Sequence, residues 1–407
     1  MPLNSSPRPA VPPAAAVLLL TLLLGIQPVT TDLYLPALPT LASELGASMS
    51  ATQLTLSALI LSFGLCQLVA GPLADRFGRR PVLQVGLLVY TLASVWAALS
   101  PSIDALVAAR VLQGTGMAAV VTCGRAIVRD LFAPAEGAKV MSRALGGLGV
   151  IAMLSPLLGG VLVQWVNWHA ALAVLAVFGV GSLAFVSRHY GETAPRLNPA
   201  ATQLAPMLAN WRAVAQHRTF QAWALLLVCT YSGLFVILAA SSFAYIQVLG
   251  LTRVGYGLVM AANSLAYIGG TFLCRRLMLR FGVRGAVKRG ALLSLAGGLG
   301  MLGVALAGTT HWWALLLPQM VFAVGHGVHQ PCGQSGAVGP FPDKAGAAAS
   351  LSGFGMMVGA FVAGWVLGRT LGGTLLPMTL GVAGCACALS LVAWTLVQRH
   401  GDAPQPA

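Results

Sequence analysis

Gly71-Pro-Leu-Ala-Asp-Arg-Phe-Gly-Arg-Arg80 is the stretch that decides how this chain folds. An apolar run from Leu54 to Ala70 precedes it, and another from Pro81 to Ala98 follows. Four charges stand between two segments that each approach the ~20 residues needed to cross a bilayer. So charged a loop must sit in water, and its arginine excess marks the cytoplasmic side of a membrane. Gly71 and Gly78 allow a tight turn and a close approach of neighbouring helices.

Composition extends this local reading to the whole chain. Of 407 residues, 57% are hydrophobic and only 8% charged, against about 25% charged in soluble domains. Most of the surface must therefore face lipid. The net charge of +14 does not point to nucleic acid, because the basic residues alternate with apolar runs instead of forming one patch. Most of the lysines and arginines fall on one side; Arg253 and Arg369 fall on the other, and Arg110 lies inside a span. The seven cysteines lie in or at the ends of apolar runs, none in a C-x-x-C arrangement, and read as small apolar residues.

Twelve spans are expected, at about 14–40, 50–72, 81–101, 104–129, 141–163 and 167–188, then 220–246, 254–275, 287–309, 312–337, 345–368 and 374–397. The run from Ala14 to Ile26 resembles a secretory leader in length, but no small-x-small cleavage site follows it, so it is read as a retained first helix. The expected organisation is a cytoplasmic tail over 1–13, a six-helix half over 14–188, a cytoplasmic linker over 189–218, a second half over 219–397 and a tail over 398–407. Trp211 beside Arg212 marks a short interfacial helix within the linker. Arg76-Phe-Gly78 recurs as Arg280-Phe-Gly282, half the chain away, with Leu279 in the place of Asp75. The fold is thus all-α, with twelve transmembrane helices in two pseudo-symmetric halves.

Four further stretches carry polar chemistry inside spans. Thr31-Asp-Leu-Tyr-Leu-Pro-Ala-Leu-Pro39 holds Asp32, the one acid that falls within a span. It is either an intramembrane proton or substrate group or a cap at the outer interface, where Pro36 breaks the helix. Ala109-Arg-Val-Leu-Gln-Gly-Thr-Gly116 holds Arg110, either seeking an acceptor in the interior or snorkelling to the headgroups. At 1.5 Å per residue, Arg110 lies about 9 Å and Asp32 about 13 Å from the outer face, so the two share one depth if helix 1 runs on to Leu41. Gly149-Val-Ile-Ala-Met-Leu-Ser-Pro-Leu-Leu-Gly-Gly160 combines a Pro156 kink with the thin Gly159-Gly160 surface. Gly325-His-Gly-Val-His-Gln-Pro-Cys-Gly333 places His326 and His329 on one helix face, read as a cavity-facing polar stretch rather than a metal site. No phosphate loop, metal-spaced acid cluster or Ser-His-Asp grouping is present, so no enzyme is expected.

These stretches resemble the major facilitator superfamily. G-x-L-A-D-R-x-G-R-R is similar to its loop between helices 2 and 3. D-x-Y-L-P-A-L-P is similar to the signature of the bicyclomycin/chloramphenicol-resistance drug exporters, which are drug:proton antiporters. R-x-x-Q-G-x-G is similar to the family's helix 4 motif. The Ser155, Pro156, Gly159 and Gly160 run is similar to the antiporter motif of helix 5, with Ile151 and Ser155 departing from two of its glycines. The resemblance implies proton coupling through Asp32 and Arg110. It implies gating by Gly71, Asp75, Arg76, Gly78, Arg79, Arg80 and Asp130, with Asp130 facing Arg79 or Arg80 and Asp75 at the start of helix 11. It further implies a cavity between the halves, lined by helices 1, 4, 7 and 10, for which Tyr34, Gln113, Met117, Tyr231, Phe235 and Gln330 are the candidates. The expected function is proton-driven efflux of drug-like molecules across the bacterial inner membrane by a monomer with both termini cytoplasmic. It uses no cofactor besides the proton and no nucleic-acid partner, the alternative being a metabolite exporter or uptake symporter of the same fold.

Overall fold

A computed structural model describes residues 13–132, 134–194, 197–370 and 372–402. Most of the N-terminal tail therefore lies outside the described residues. The described chain is helical, with no strand. In lipid a backbone must satisfy its own polar groups, and the long apolar runs do so as helices. The first half comprises α1 (Pro13–Asp32), α2 (Met49–Phe77), α3 (Arg79–Ala98), α4 (Ile103–Leu131), α5 (Pro134–Trp165) and α6 (Trp168–His189). A linker helix, Leu204–Ala215, carries Trp211. The second half begins with α7 (Arg218–Ser242). One continuous segment, Arg253–Leu306, follows and bends at Gly282, making α8 (253–281) and α9 (283–306). Then come α10 (Trp312–Val338), α11 (Ala345–Thr370) and α12 (Leu376–Trp394).

Among the described residues, ten segments are long and apolar enough to cross a membrane, and Arg253–Leu306 holds two spans in one of them. With α10 this makes twelve. α10 falls short on composition because Gln319, His326, His329 and Gln330 dilute its apolar residues, yet it is a 27-residue helix walled in by α7, α8 and α9. Several starts are capped by the side chain that precedes them: Ser48 Oγ accepts from Ala51 N (3.2 Å), Ser102 Oγ from Ala105 N (3.3 Å) and Asn167 Oδ1 from Ala170 N (2.8 Å).

The repeat in sequence is a repeat in backbone. Gly78 (φ +100°) separates α2 from α3, and Gly282 (φ +69°) separates α8 from α9. An L side chain resists that conformation, so glycine is required at both turns.

Helix 1 departs from its expected extent. It ends at Asp32, passes through a single turn at Leu35–Ala37 and resumes as Leu38–Glu44. Pro36 and Pro39 remove backbone donors here, so the helix cannot run straight to residue 40.

The two halves meet along α2 with α11 and α5 with α8. Gly364 lies against Ser57 and Phe235, Gly353 against Gln67, and Met357 against Gly64. The α2–α3 turn and the α8–α9 turn define the arginine-rich face, and the far face lies opposite it. At the far face the seam is polar and closed: Arg253 Nε and Nη2 both donate to Thr40 Oγ1 (3.1 and 3.0 Å), and Val254 N donates to Gln164 Oε1 (3.2 Å).

Candidate functional site

On the basic face, Arg79 is nearly buried between two carboxylates. Its Nη1 donates to Asp75 Oδ1, and its Nε donates to Asp130 Oδ2 at 3.1 Å. Asp75 is half-exposed and committed to Arg79. Arg76 Nη1 donates to Thr202 Oγ1 (2.6 Å), and Arg80 Nη2 donates to Ser187 O (3.2 Å). Gly71 faces Thr122 across a narrow gap.

The residue that closes this cluster is Glu192, which sequence reasoning missed. Its two carboxylate oxygens accept from Arg79 N (2.9 Å) and Arg80 N (3.0 Å), the free donors at the start of α3. It also accepts from Thr193 N and Ala194 N. A Cβ at Gly78 would strike this carboxylate, which is a second reason for glycine there. Partial burial opposes the Glu192 charge, but the N–H groups of Ala194, Arg79, Arg80 and Thr193 outweigh it and hold its carboxyl below the ordinary value of 4.5. Asn198 N donates to Asp75 O (2.9 Å), so with Glu192 and Thr202 the linker is tied to the α2–α3 turn at three points.

Because the native value of Glu192 lies below the unfolded one, its contribution is complete above pH 4.5 and is lost as pH falls through the native value. Glu192→Ala should raise amide exchange of residues 78–80 and 190–194 about tenfold at neutral pH, the cost of leaving the donors at the start of α3 without their acceptor. Wild-type protein should show the same rise only in acid. Unchanged protection in the variant would show that the linker is held by other contacts.

Inside the first half, Arg110 is fully buried and its guanidinium carbon lies 3.8 Å from the centre of the Tyr34 ring. Its Nη1 donates to Gln113 Oε1 (2.7 Å) and reaches Thr30 O at 3.5 Å. Gln113 Nε2 donates to Ser94 Oγ (2.6 Å), Thr30 and Tyr90 share a hydrogen bond (2.8 Å), and Tyr34 and Thr55 share another (2.7 Å). Among the described residues, Arg110 Nε and Nη2 have no partner. It does not snorkel, and among the described residues no carboxylate lies within 4.0 Å of it.

The shared depth expected of Arg110 and Asp32 does not bring the two side chains into an ion pair. Successive residues of a helix are separated by about 100°, so Thr30 and Asp32 point about 200° apart. The Thr30 hydroxyl faces Tyr90 in the Arg110 network while its carbonyl meets Arg110, so Asp32 points to the other side of α1. Asp32 accepts from Thr31 Oγ1 (2.7 Å) and lies within electrostatic range of the Tyr231 and Tyr256 phenols of α7 and α8. The carboxylate thus stands at the end of α1, where the two halves meet. Gln27 Nε2 donates to Tyr231 OH (3.2 Å) one turn away.

The glycines of α5 serve that same region. A Cβ at Gly159 would strike the Leu33 carbonyl, and one at Gly160 would strike the Arg253 carbonyl. So α5 touches backbone on both sides, the broken end of α1 and the start of α8. Pro156 lies against Gly257 of α8, and Ser155 Oγ returns a hydrogen bond to Ile151 O (2.7 Å).

The cavity candidates divide. Tyr34, Gln113 and Met117 are fully buried within the first half, the first two in the Arg110 network, and Phe235 is buried against Gly364 at the α7–α11 contact. They do not line an opening in this conformation, because residue type leaves open which face of a helix turns inward. Tyr231 lies at the seam, and Gln330 is half-buried with its Nε2 3.8 Å from Met356 Sδ and its Oε1 unpartnered. His326 and His329 are also buried instead of cavity-facing. His326 Nδ1 is hydrogen-bonded to Thr230 Oγ1 (2.9 Å), and His329 bridges to Ser294 Oγ and Val287 O. They tie α10 to α7 and α9. Gln27 and Asn263, whose Oδ1 is unpartnered, are polar groups in spans that the sequence did not single out.

Twelve membrane-crossing helices in two repeated halves, with polar groups gathered on the seam between them, define a membrane transporter. The sequence model of the Major Facilitator Superfamily matches residues 20–364. The chain is 30% identical over 337 residues to multidrug resistance protein D of Escherichia coli (strain K12), covering 83% of this chain and 84% of that protein. It is 26% identical over 385 residues to a bicyclomycin resistance protein homolog of Haemophilus influenzae (strain ATCC 51907 / DSM 11121 / KW20 / Rd), covering 94% and 96%. Its fold is that of the human organic anion transporter MFSD10 (TETRAN), with a TM-score of 0.70 at 21% identity over 95% of this chain and 99% of that one. The chain belongs to the Major Facilitator Superfamily and is a small-molecule transporter, not an enzyme.

Proposed function

We propose that this protein exports drug-like small molecules across the bacterial inner membrane in exchange for protons, working as a monomer with both termini and the basic face in the cytoplasm. The observation that carries this reading is the position of Asp32. A carboxylate stands at a break in α1, at the seam between the halves, within electrostatic range of two phenols of the other half. A proton and a substrate arriving at that seam compete for one space, and competition couples their fluxes through differential affinity. The relatives named for multidrug and bicyclomycin resistance support a drug-like cargo. The excess of arginine on one face supports the orientation. The sealed far face fits a state that loads from the cytoplasm, with Tyr231 and Gln330 as cargo contacts and the Arg79 cluster as the gate. The test is an efflux-deficient bacterial host expressing the chain, with everted vesicles prepared from it. Drug-induced collapse of an imposed pH gradient is expected; uptake driven down the proton gradient would make it a symporter instead.

The far-face seam supplies a conformational test. A methyl group at Gly160 meets the Arg253 carbonyl, which backbone cannot yield cheaply. Gly160→Ala should part α5 from α8 and populate the state open at the far face. A cysteine introduced as Thr40→Cys should then react faster with a membrane-impermeant maleimide from the far side. Equal labelling in the two backgrounds would show that the seam tolerates the methyl group.

A further inference from the structure

The two halves repeat one turn, balanced in charge in the first half and strongly basic in the second. Around the α2–α3 turn, Arg76, Arg79 and Arg80 stand with Asp75, Asp130 and Glu192. Around the α8–α9 turn, six cations fall between Arg275 and Arg289, and Leu279 occupies the place of the acid. Arg284 pairs with Asp402 at 2.7 Å. Among the described residues, none of the other five has a carboxylate within 4.0 Å.

At this uncompensated face a cavity of about 390 Å³ opens between α9 and α12, lined by Lys288, Arg289, Leu292 and Trp394. Trp394 Nε1 donates to Lys288 O (2.9 Å), which fixes the indole at the rim. Arg289 lies along the start of α9 over Phe281, whose ring centre is 3.4 Å from its guanidinium carbon, and its Nη1 donates to Gly285 O (3.1 Å). Leu292 lies one turn deeper along α9 and is 58% exposed, on the membrane side of the two cations. Cations, then an interfacial tryptophan, then an exposed leucine reproduce the order of phosphate, glycerol and acyl chain in a lipid.

We propose that this cavity seats an anionic phospholipid, with its phosphate between Lys288 and Arg289 and an acyl chain along Leu292. A soluble anion would gain nothing from the exposed Leu292, whereas a lipid uses both ends of the cavity. The proposal does not depend on which compounds the transporter carries.

The test uses the full chain purified in detergent, with dioleoyl-phosphatidylglycerol and dioleoyl-phosphatidylcholine as probes and native mass spectrometry as the readout. Wild-type protein should retain the glycerol lipid and release the choline lipid. The double variant Lys288→Gln/Arg289→Gln should lose about thirtyfold in phosphatidylglycerol affinity, since each basic group near an anionic headgroup contributes about a factor of five. Arg275→Gln/Arg276→Gln removes the same charge away from the cavity and should stay within a factor of about three of wild type. Equal loss in both variants would reduce the effect to general attraction. Unchanged affinity in the first variant, or equal retention of the choline lipid, would also overturn the proposal.

Discussion

Asp32→Asn should bring proton-driven transport to background while leaving substrate binding within a factor of about three, the scale of one exchanged hydrogen bond. Asparagine has nearly the shape of aspartate and can still accept from Thr31 Oγ1, so the end of α1 keeps its local contacts. It cannot take up or release a proton. A coupling mechanism can move an equilibrium only by the difference in affinity between two states, and with no titrating group at the seam that difference vanishes. Drug-dependent proton release and radiolabelled-substrate binding, measured on the same vesicles, separate the two quantities. Wild-type proton release from the variant would remove Asp32 from the mechanism.

Arg110→Met should abolish transport without lowering the melting temperature of the purified protein. The guanidinium is buried, has two unpartnered nitrogens and meets no carboxylate among the described residues. Removing a charge from water costs several kcal/mol even after relaxation, and the Tyr34 ring returns only part of it. Methionine fills much of the same volume and carries no such cost. The loss on the other side is one hydrogen bond to Gln113, about 1–3 kcal/mol for a stranded buried acceptor. These terms offset, so the fold should survive while the charge is gone. A fall in melting temperature of more than about 5 °C, roughly 4 kcal/mol for a chain of this length, would make Arg110 a structural residue.

Much of the fold was legible because the bilayer imposes it. Apolar runs of membrane length and arginine-rich turns are one-dimensional signals, and the recurrence of Arg-Phe-Gly at 76–78 and 280–282 marks two turns that both need a positive φ at glycine. What the sequence withheld is rotation about helix axes. Equal depth placed Asp32 and Arg110 in one layer, but the residue of α1 that meets Arg110 is Thr30. Tyr34, Gln113 and Met117 have the chemistry of a binding surface and are turned into the first half. Glu192 was hidden for another reason. It lies 113 residues from Arg79 in a linker without periodicity, and only the folded chain brings it to the start of α3.

The unaccompanied guanidinium of Arg110 has an electrical consequence. With Asp32 ionised, the membrane interior of the first half holds one positive and one negative charge and is neutral in sum. With Asp32 protonated it holds a net positive charge. Rocking between the two faces shifts that charge through part of the membrane field, and complete passage of one charge corresponds to about 2.3 kcal/mol per 100 mV. In the proposed exchange cycle the membrane voltage therefore acts on the proton-loaded carrier and not on the one with Asp32 ionised. Polarisation should speed one half of the cycle and leave the other unchanged.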